Sequence, residues 1–166
     1  YSIRKELLLD DDYRLLIKRK FKRIFYPLNE TTAFKLNQIF HELTRNKIKE
    51  EKIIITKGRN FKIVNYFSGV ARLKFNDLCD VNVGPEDYVN IAKACKHVFI
   101  EEIPIFTDQN SNQQLRFIML IDIFYEKKIS LTLSLQNKLT KIGSSKKHNE
   151  VFKRTISRLN EMVANF

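Results

Sequence analysis

The stretch from His97 to Leu135 constrains the fold most, because it reads as a strand, a helix and a second strand. Residues 97–103 form an apolar run rich in β-branched and aromatic side chains, and residues 129–135 alternate with the period of two that is typical of a strand. Between them, residues 113–124 are apolar on nearly every side of a helix, which indicates burial. Two strands joined by such a helix predict a βαβ unit with parallel strands and a right-handed crossover.

Flanking segments are expected to pack on this unit. Residues 51–67 predict a β-hairpin with Lys57-Gly58-Arg59-Asn60 as its turn, because Gly58 tolerates positive φ. A further strand is predicted over residues 70–75, followed by a short helical turn capped by Asn76. Three longer helices are predicted: one over residues 31–43, one that begins at Pro85, and one that is capped by Asn149.

Together these elements predict an α/β fold. The expected architecture is a mixed sheet that contains the βαβ unit (strands about 97–103 and 129–135), the β-hairpin (about 51–67) and flanking helices. No window of the sequence is apolar enough to predict a membrane span. The chain does not begin with Met, so it is expected to be a piece of something longer.

The positive charge is concentrated in the N-terminal part of the chain. Of the net charge of +11, residues 1–74 contribute 18 Lys and Arg against 8 Asp and Glu, which gives +10. The densest block is Lys18-Arg19-Lys20-Phe21-Lys22-Arg23. Such a block attracts phosphate backbones or anionic membrane surfaces, and it also fits a solvated face of a lysine-rich protein.

Metal and thiol chemistry are not predicted. Cys79 and Cys95 stand far apart without a CxxC spacing, which favours buried thiols in a reducing compartment. The cluster Asp10-Asp11-Asp12 has no glycine nearby to turn three carboxylates onto one ion. His41 has no second histidine near it in the sequence and is expected at the surface. We therefore predict no metal site in this chain.

Four charged residues pose a question of pairing. Arg154 and Arg158 stand one turn apart on the last helix. They either pair with Glu150 and Glu161, or one of them meets a phosphate oxygen or a buried carboxylate. Arg116 and Asp122 lie within the apolar helix, where charges should be paired, and we expect Asp122 to meet a backbone donor or a basic group.

Several segments, taken in order, resemble the Afg-type (ZapE-like) P-loop ATPases of the AAA+ class. They span nearly the whole chain: Asp12-Tyr13-Arg14, Tyr26-Pro27-Leu28, Gly58-Arg59, Gly69 to Phe75 with Leu78-Cys79, Gly84 with Asp87-Tyr88, Val98 to Ile100 through Ile103-Pro104, Arg116 to Ile118 with Leu120 to Asp122 and Tyr125, and Arg154-Thr155 with Ser157 to Leu159 and Glu161-Met162. The family includes a bacterial division-site ATPase and mitochondrial relatives linked to protein quality control.

The resemblance implies ATP and Mg²⁺ as cofactors of the intact family member. The phosphate-binding loop of the family, G-x-x-x-x-G-K-[ST], does not occur in this sequence, and no strand ends in the acidic residues that would hold Mg²⁺. Glu101-Glu102 does end a strand, but it matches a different strand of the family. The chain alone is therefore expected neither to bind ATP tightly nor to hydrolyse it, so no catalytic residue is expected in it. Arg154 and Arg158 are candidate nucleotide sensors.

By the same resemblance, residues 1–46 would be the end of the ATPase core with a helical, lid-like segment, and residues 47–166 a C-terminal α/β domain. The expected partners are the missing N-terminal P-loop part, on the same or an adjacent polypeptide, and client or division proteins in the cytoplasm. Peripheral membrane contact stays open. Two alternatives remain: a basic nucleic-acid-binding module that uses residues 18–23 with exposed Tyr66 and Phe67, although no recognised motif supports it, and a non-functional remnant of a split gene.

Overall fold

A computed structural model describes residues 23–164, and these residues form one six-stranded mixed sheet with helices on both faces. The strands in chain order are β1 (Ile24–Phe25), β2 (Lys49–Thr56), β3 (Arg59–Phe67), β4 (Val70–Lys74), β5 (His97–Ile103) and β6 (Ser130–Leu135). They lie in the spatial order β1-β6-β5-β4-β3-β2. The neighbours β1, β6, β5 and β4 are parallel to one another. The sheet then continues with β3, which is antiparallel to β4, and β2, which is antiparallel to β3.

Five α-helices accompany the sheet within the described residues. They are α1 (Glu30–Leu43), α2 (Phe75–Leu78), α3 (Pro85–Ala94), α4 (Ser111–Glu126) and α5 (Asn149–Met162). The predicted α/β class, with its mixed sheet, its hairpin and its flanking helices, is confirmed.

The βαβ unit has the predicted connection: β5 and β6 pair in parallel, with His97 opposite Ser130 and Ile100 opposite Leu133, and α4 joins them. The side of α4 that faces the sheet is fully buried at Phe117, Leu120, Ile121 and Phe124. Its outer side is not buried, since Leu115 is 41% exposed. The helix therefore packs on the sheet with one side and leaves the other for α5 and solvent.

The two sides of β5 serve two different cores. Val98 and Ile100 belong to the large cluster beneath α3, α4 and α5, while Phe99 packs with Leu36 of α1 and Val70 of β4 on the opposite face. Successive side chains of a strand point to opposite faces of the sheet. Because both faces of β5 are buried, apolar residues follow one another along it without a break. Both β1 and α1 precede residue 47 and pack with this sheet, while the domain boundary placed at residue 46 stays a prediction.

The hairpin is formed by β2 and β3, but its turn is tighter than predicted. Only Lys57 and Gly58 connect the strands, with φ of 27° and 77°, whereas Arg59 and Asn60 already pair with Thr56 and Ile55. Positive φ at both positions is typical of the type I′ two-residue turn, which matches the right-handed twist of its strands. The predicted four-residue turn is wrong for this reason.

Two of the five described helices, α1 and α3, start with a side-chain capping hydrogen bond. Asn29 accepts a hydrogen bond from the Thr32 amide at 2.9 Å, and the Asp87 carboxylate accepts one from the Gly84 amide ahead of Pro85. Two predicted caps are wrong by one or two residues: α2 begins at Phe75, not after Asn76, and His148, not Asn149, is the N-cap of α5. Phe75 leaves the strand because its ring enters the core between Phe106 and Phe117.

Buried polar groups join β1, β5 and β6. The Arg23 guanidinium donates to the carbonyls of Leu131 and Met162 at 3.1 and 3.2 Å, and burial lowers its pKa to about 10. Arg23 is 3% exposed, so it does not belong to the solvated basic block in which the sequence placed it. His97 meets the Thr132 hydroxyl at 2.7 Å, and burial, assisted by the charge of Arg23, lowers the pKa of His97 to about 3.

Both cysteines are buried and free, as predicted, and His41 is exposed. Across residues 23–164, no helix is long and apolar enough to cross a bilayer.

The packing of α4 predicts a large difference between two neighbouring positions. Phe117→Ala removes a fully buried ring that contacts Phe75 and Phe106, and it should lower the free energy of unfolding by about 3–5 kcal/mol. The control, Leu115→Ala, should cost less than about 1 kcal/mol because that side chain is 41% exposed. Urea denaturation of both variants measures the difference, and equal losses would contradict the orientation of α4.

The buried imidazole predicts acid sensitivity. Because the folded state keeps His97 neutral down to about pH 3 while the unfolded chain takes up a proton below about pH 6.5, stability should fall as pH decreases through that window. Between pH 7 and pH 5 the free energy of unfolding should drop by about 2 kcal/mol more in the wild type than in His97→Gln. Denaturant titrations at both pH values test this, and parallel pH profiles would rule it out.

Candidate functional site

The arginine pair of the last helix faces a single carboxylate on α4. Asp122 Oδ1 lies 2.5 Å from Arg158 Nη1, and Asp122 Oδ2 lies 3.4 Å from Arg154 Nη2. The Asp122 and Arg158 side chains are 33% and 21% exposed, whereas Arg154 is 59% exposed. Two cations therefore share one carboxylate at the outer surface of α4 and α5.

Arg158 is held from a second side as well. Its guanidinium carbon lies 4.6 Å from the centre of the Tyr125 ring, a distance typical of a cation–π contact. Tyr125 in turn is hydrogen-bonded to Glu161, and this bond raises the pKa of the phenol. Tyr125 stands one turn after Asp122, so one helix supplies both the carboxylate and the ring that fix Arg158.

The expected pairs within the last helix are not formed. Glu150 binds Lys153 at 3.0 Å, and Glu161 binds Tyr125, so neither acid neutralises an arginine of the pair. The carboxylate comes from α4 instead, because α4 and α5 pack side by side and bring Asp122 between the two arginines. The basic group expected for Asp122 is therefore the arginine pair itself, and whether this pair also senses nucleotide stays a prediction.

Arg116 lies away from this cluster. It is half-buried on α4. Burial raises the pKa values of Tyr88 and Cys79, and the positive charge of Arg116 lowers both pKa values in part. Among residues 23–164 no carboxylate lies within ion-pair distance of Arg116. The structure thus brings three of the four singled-out residues together and leaves the fourth beside α3.

Two further arginine–carboxylate pairs were not expected from the sequence. Arg72 holds Glu101 through two hydrogen bonds of 2.9 and 2.7 Å, and both side chains are less than one-fifth exposed. Arg59 reaches Asp87 at 2.9 Å and so fixes the start of α3. The only advance signal was that Arg59, Arg72 and Asp87 lie in segments that carry the family resemblance.

The aromatic platform expected for nucleic acid is not present on β3. Tyr66 is 5% exposed and donates its hydroxyl proton to the carbonyl of Ala94 at 2.5 Å, so the prediction of an exposed ring is wrong. Phe67 is half-buried, with its ring packed edge-on against Phe40 at 5.5 Å. Residues 18–22 of the basic block lie outside the described residues.

Thiol and metal chemistry gain no support from the geometry. Burial raises the pKa of the Cys95 thiol to about 12 and raises that of Cys79 further, which makes both poor nucleophiles near neutral pH. Within the part of the chain that the structure describes, no group of three or more His, Cys, Asp or Glu could hold a metal ion. The cluster Asp10-Asp11-Asp12 lies outside that part.

Comparison with known proteins adds an independent line of evidence. The family model described as AFG1-like ATPase matches residues 9–166. Lactation elevated protein 1 homolog B of Danio rerio is 27% identical over 125 residues, which cover 74% of this chain and 25% of the relative. Cell division protein ZapE of Escherichia coli K12 is 24% identical over 151 residues, which cover 91% of this chain and 40% of the relative. No solved structure matches.

The geometry predicts unequal coupling of the two arginines to Asp122. A double-mutant cycle with Asp122→Ala and Arg158→Ala should give a coupling energy of about 1–2 kcal/mol, because that pair is partly desolvated and directly bonded. The cycle with Arg154→Ala should give less than about 0.5 kcal/mol, because Arg154 is exposed and its contact is longer. Urea denaturation supplies the values, and stronger coupling for Arg154 would refute this reading of the cluster.

Proposed function

This chain belongs to the AFG1-like ATPase family, and we propose that it is the C-terminal part of an AFG1/ZapE-type ATPase that works together with a P-loop part. The family match over residues 9–166 carries the proposal. The chain spans about a quarter to two-fifths of the length of the curated relatives that it matches. ATP hydrolysis is therefore proposed for the assembled protein, not for this chain alone.

The residues of this chain do not fit ATP with Mg²⁺ by themselves. The sequence holds no G-x-x-x-x-G-K-[ST] loop, whose backbone amides and lysine would hold the phosphates. The described residues also lack a cluster of carboxylates for the ion. Binding of nucleotide and the bond-breaking step are accordingly assigned to the P-loop part, which lies on the same or on a partner polypeptide.

Within the arginine pair, the two members have different proposed roles. Arg158 is a positioning residue, because Asp122 and Tyr125 hold its guanidinium from two sides. Arg154 is the candidate sensor, because its head group is mostly in water and its 3.4 Å contact with Asp122 is weak. A phosphate oxygen presented by the P-loop part would compete well with that contact, since arginine pairs strongly with phosphate.

The name of one relative supports a proposal for the biological setting. One of them is named a cell division protein. We propose that the assembled ATPase acts on division or client proteins in the cytoplasm, with this α/β unit as the part that contacts the P-loop core.

Reconstitution tests the proposal and separates the two arginines. This chain mixed with the P-loop part, or joined to it, should hydrolyse ATP, and Arg154→Ala should lower the rate or the nucleotide affinity by about tenfold, the loss of one charge-assisted hydrogen bond. The control, Lys153→Ala, removes a neighbouring exposed cation that pairs with Glu150 and should leave both quantities unchanged.

Three outcomes would count against this assignment. If Arg154→Ala behaves like Lys153→Ala, the sensor role is wrong. If Arg158→Ala lowers activity while the pairing of the chain with the P-loop part and its stability are unchanged, the roles of the two arginines are reversed. If the chain has no effect on the activity of the P-loop part, the proposal of a shared ATPase is wrong.

A further inference from the structure

The free edge of β2 differs between its two halves. β2 is the last strand of the sheet, and no strand among residues 23–164 pairs with its outer side. Its first half, residues 49–52, carries four charged side chains and a break in the register, and both features protect an edge strand from pairing. Its second half, residues 53–56, has neither feature and begins with three isoleucines. The second half is therefore the part of this edge that is open to pairing.

The hairpin geometry decides which backbone groups of the second half are free. Thr56 precedes the two-residue turn, so it belongs to the hydrogen-bonded pair that closes the hairpin. Because such pairs alternate with non-hydrogen-bonded ones in an antiparallel ladder, Ile54 bonds to β3 while the amides and carbonyls of Ile53 and Ile55 face outward. The Ile55 carbonyl accordingly accepts a long bond of 3.4 Å from the side-chain amide of Asn90. These outward groups can bond to a further strand.

The side chains along this edge are complementary to those of a second copy. Ile53 and Ile55 are 50% and 71% exposed and lie on the same face of the sheet. Glu51 and Lys57 stand three positions before and three positions after Ile54. If two copies of β2 pair antiparallel about Ile54, the acid of each copy meets the base of the other, and Ile53 of each copy meets Ile55 of the other.

We propose that β2 pairs edge to edge with β2 of a second copy of this chain, antiparallel and centred on Ile54, so that the two sheets continue as one. Ile53 of one copy and Ile55 of the other then form a hydrogen-bonded pair that exchanges both backbone bonds. Two-fold symmetry repeats this pair on the other side of Ile54. The inference goes beyond the proposed ATPase function and does not rest on it.

The neighbouring registers are less favourable. A pair centred on Ile53 would place Glu51 beside Ile55, and a pair centred on Ile55 would place Lys57 beside Ile53, so each would set a charge against an apolar side chain. The register centred on Ile54 instead joins opposite charges. A strand of a different protein would need the same order of acid, apolar and basic residues, whereas a second copy supplies that order by symmetry.

Within one chain both charged residues already have a weak partner. Glu51 pairs with Lys62, and Lys57 pairs with Glu86, but all four side chains are more than half exposed. Exposed ion pairs contribute little, so contacts between copies exchange with them readily. The pairing surface is small, and the dimer is therefore transient, with a Kd on the order of 0.1–1 mM.

Amide hydrogen exchange of the full chain, followed by NMR, measures the pairing at single residues. Between about 20 μM and about 1 mM protein, the amides of Ile53 and Ile55 should slow their exchange by about two- to fivefold, because the dimer protects them. The Ile54 amide is the internal control, since it bonds to β3 in the monomer and in the dimer. Exchange of Ile53 and Ile55 that is independent of concentration would contradict the pairing.

Sedimentation equilibrium of charge variants tests the register. Glu51→Lys and Lys57→Glu should each raise the Kd of the dimer by about fivefold, and the variant with both changes should return it to within about twofold of the wild type. Within one chain the two positions lie about 20 Å apart along the strand, which exceeds the Debye length at physiological salt. Restored pairing must therefore arise between copies.

Two substitutions on α5 control for net charge. Glu150→Lys and Lys153→Glu change the charge of the chain by the same amounts at exposed positions far along the sequence, and they should leave the Kd unchanged.

Three results would overturn the proposal. The first is a chain that stays monomeric up to about 1 mM, well within the range in which such weak pairing is measurable. The second is a double variant that dimerises as weakly as the single variants. The third is protection of Ile53 and Ile55 that appears only after the P-loop part is added, which would assign the edge to that part instead.

Discussion

The structure depends most on the burial of β5 on both faces and along both edges. Parallel partners on each side satisfy its backbone groups, while Ile100 packs beneath the helices of one face and Phe99 beneath α1 on the other. A strand in this position is apolar on both faces, so its side chains help to determine where α1 and α4 pack. Burial also makes polar groups costly there, and His97 is accommodated by bonding to Thr132 and staying neutral.

Charged residues connect the layers that this core defines. Arg72 with Glu101 joins β4 to β5, Arg59 with Asp87 joins the hairpin to α3, and Asp122 joins α4 to α5. Each pair includes at least one largely buried group or a second stabilising contact. Each pair is therefore expected to contribute more to the free energy of unfolding than an ion pair exposed to water does. Asp122 differs from the others, because it serves two arginines of unequal exposure.

Local patterns were sufficient to predict the βαβ unit, the hairpin and the start of α3, because alternation, turn glycines and capping residues act over a few positions. Long-range pairings were not predictable in the same way. The partner of Arg158 lies 36 residues away on another helix, and the carbonyls that bind Arg23 lie more than 100 residues away. Sequence spacing suggested Glu150 and Glu161 as partners for the arginines, but helix packing brought a nearer carboxylate. Tyr66 was predicted to be exposed but is buried, because an aromatic residue in a hairpin can lie on either face of the sheet. The register of the strands decides the face, and the sequence did not give that register.

We propose that nucleotide chemistry in the assembled protein needs residues outside this chain, and that this chain contributes the arginine contacts of α5. The most direct measurement is a calorimetric titration of ATP with Mg²⁺ into the purified 166-residue chain. The account predicts no saturable heat and no release of phosphate. Stoichiometric binding with turnover by the pure chain would contradict it, because the chain would then not need the P-loop part.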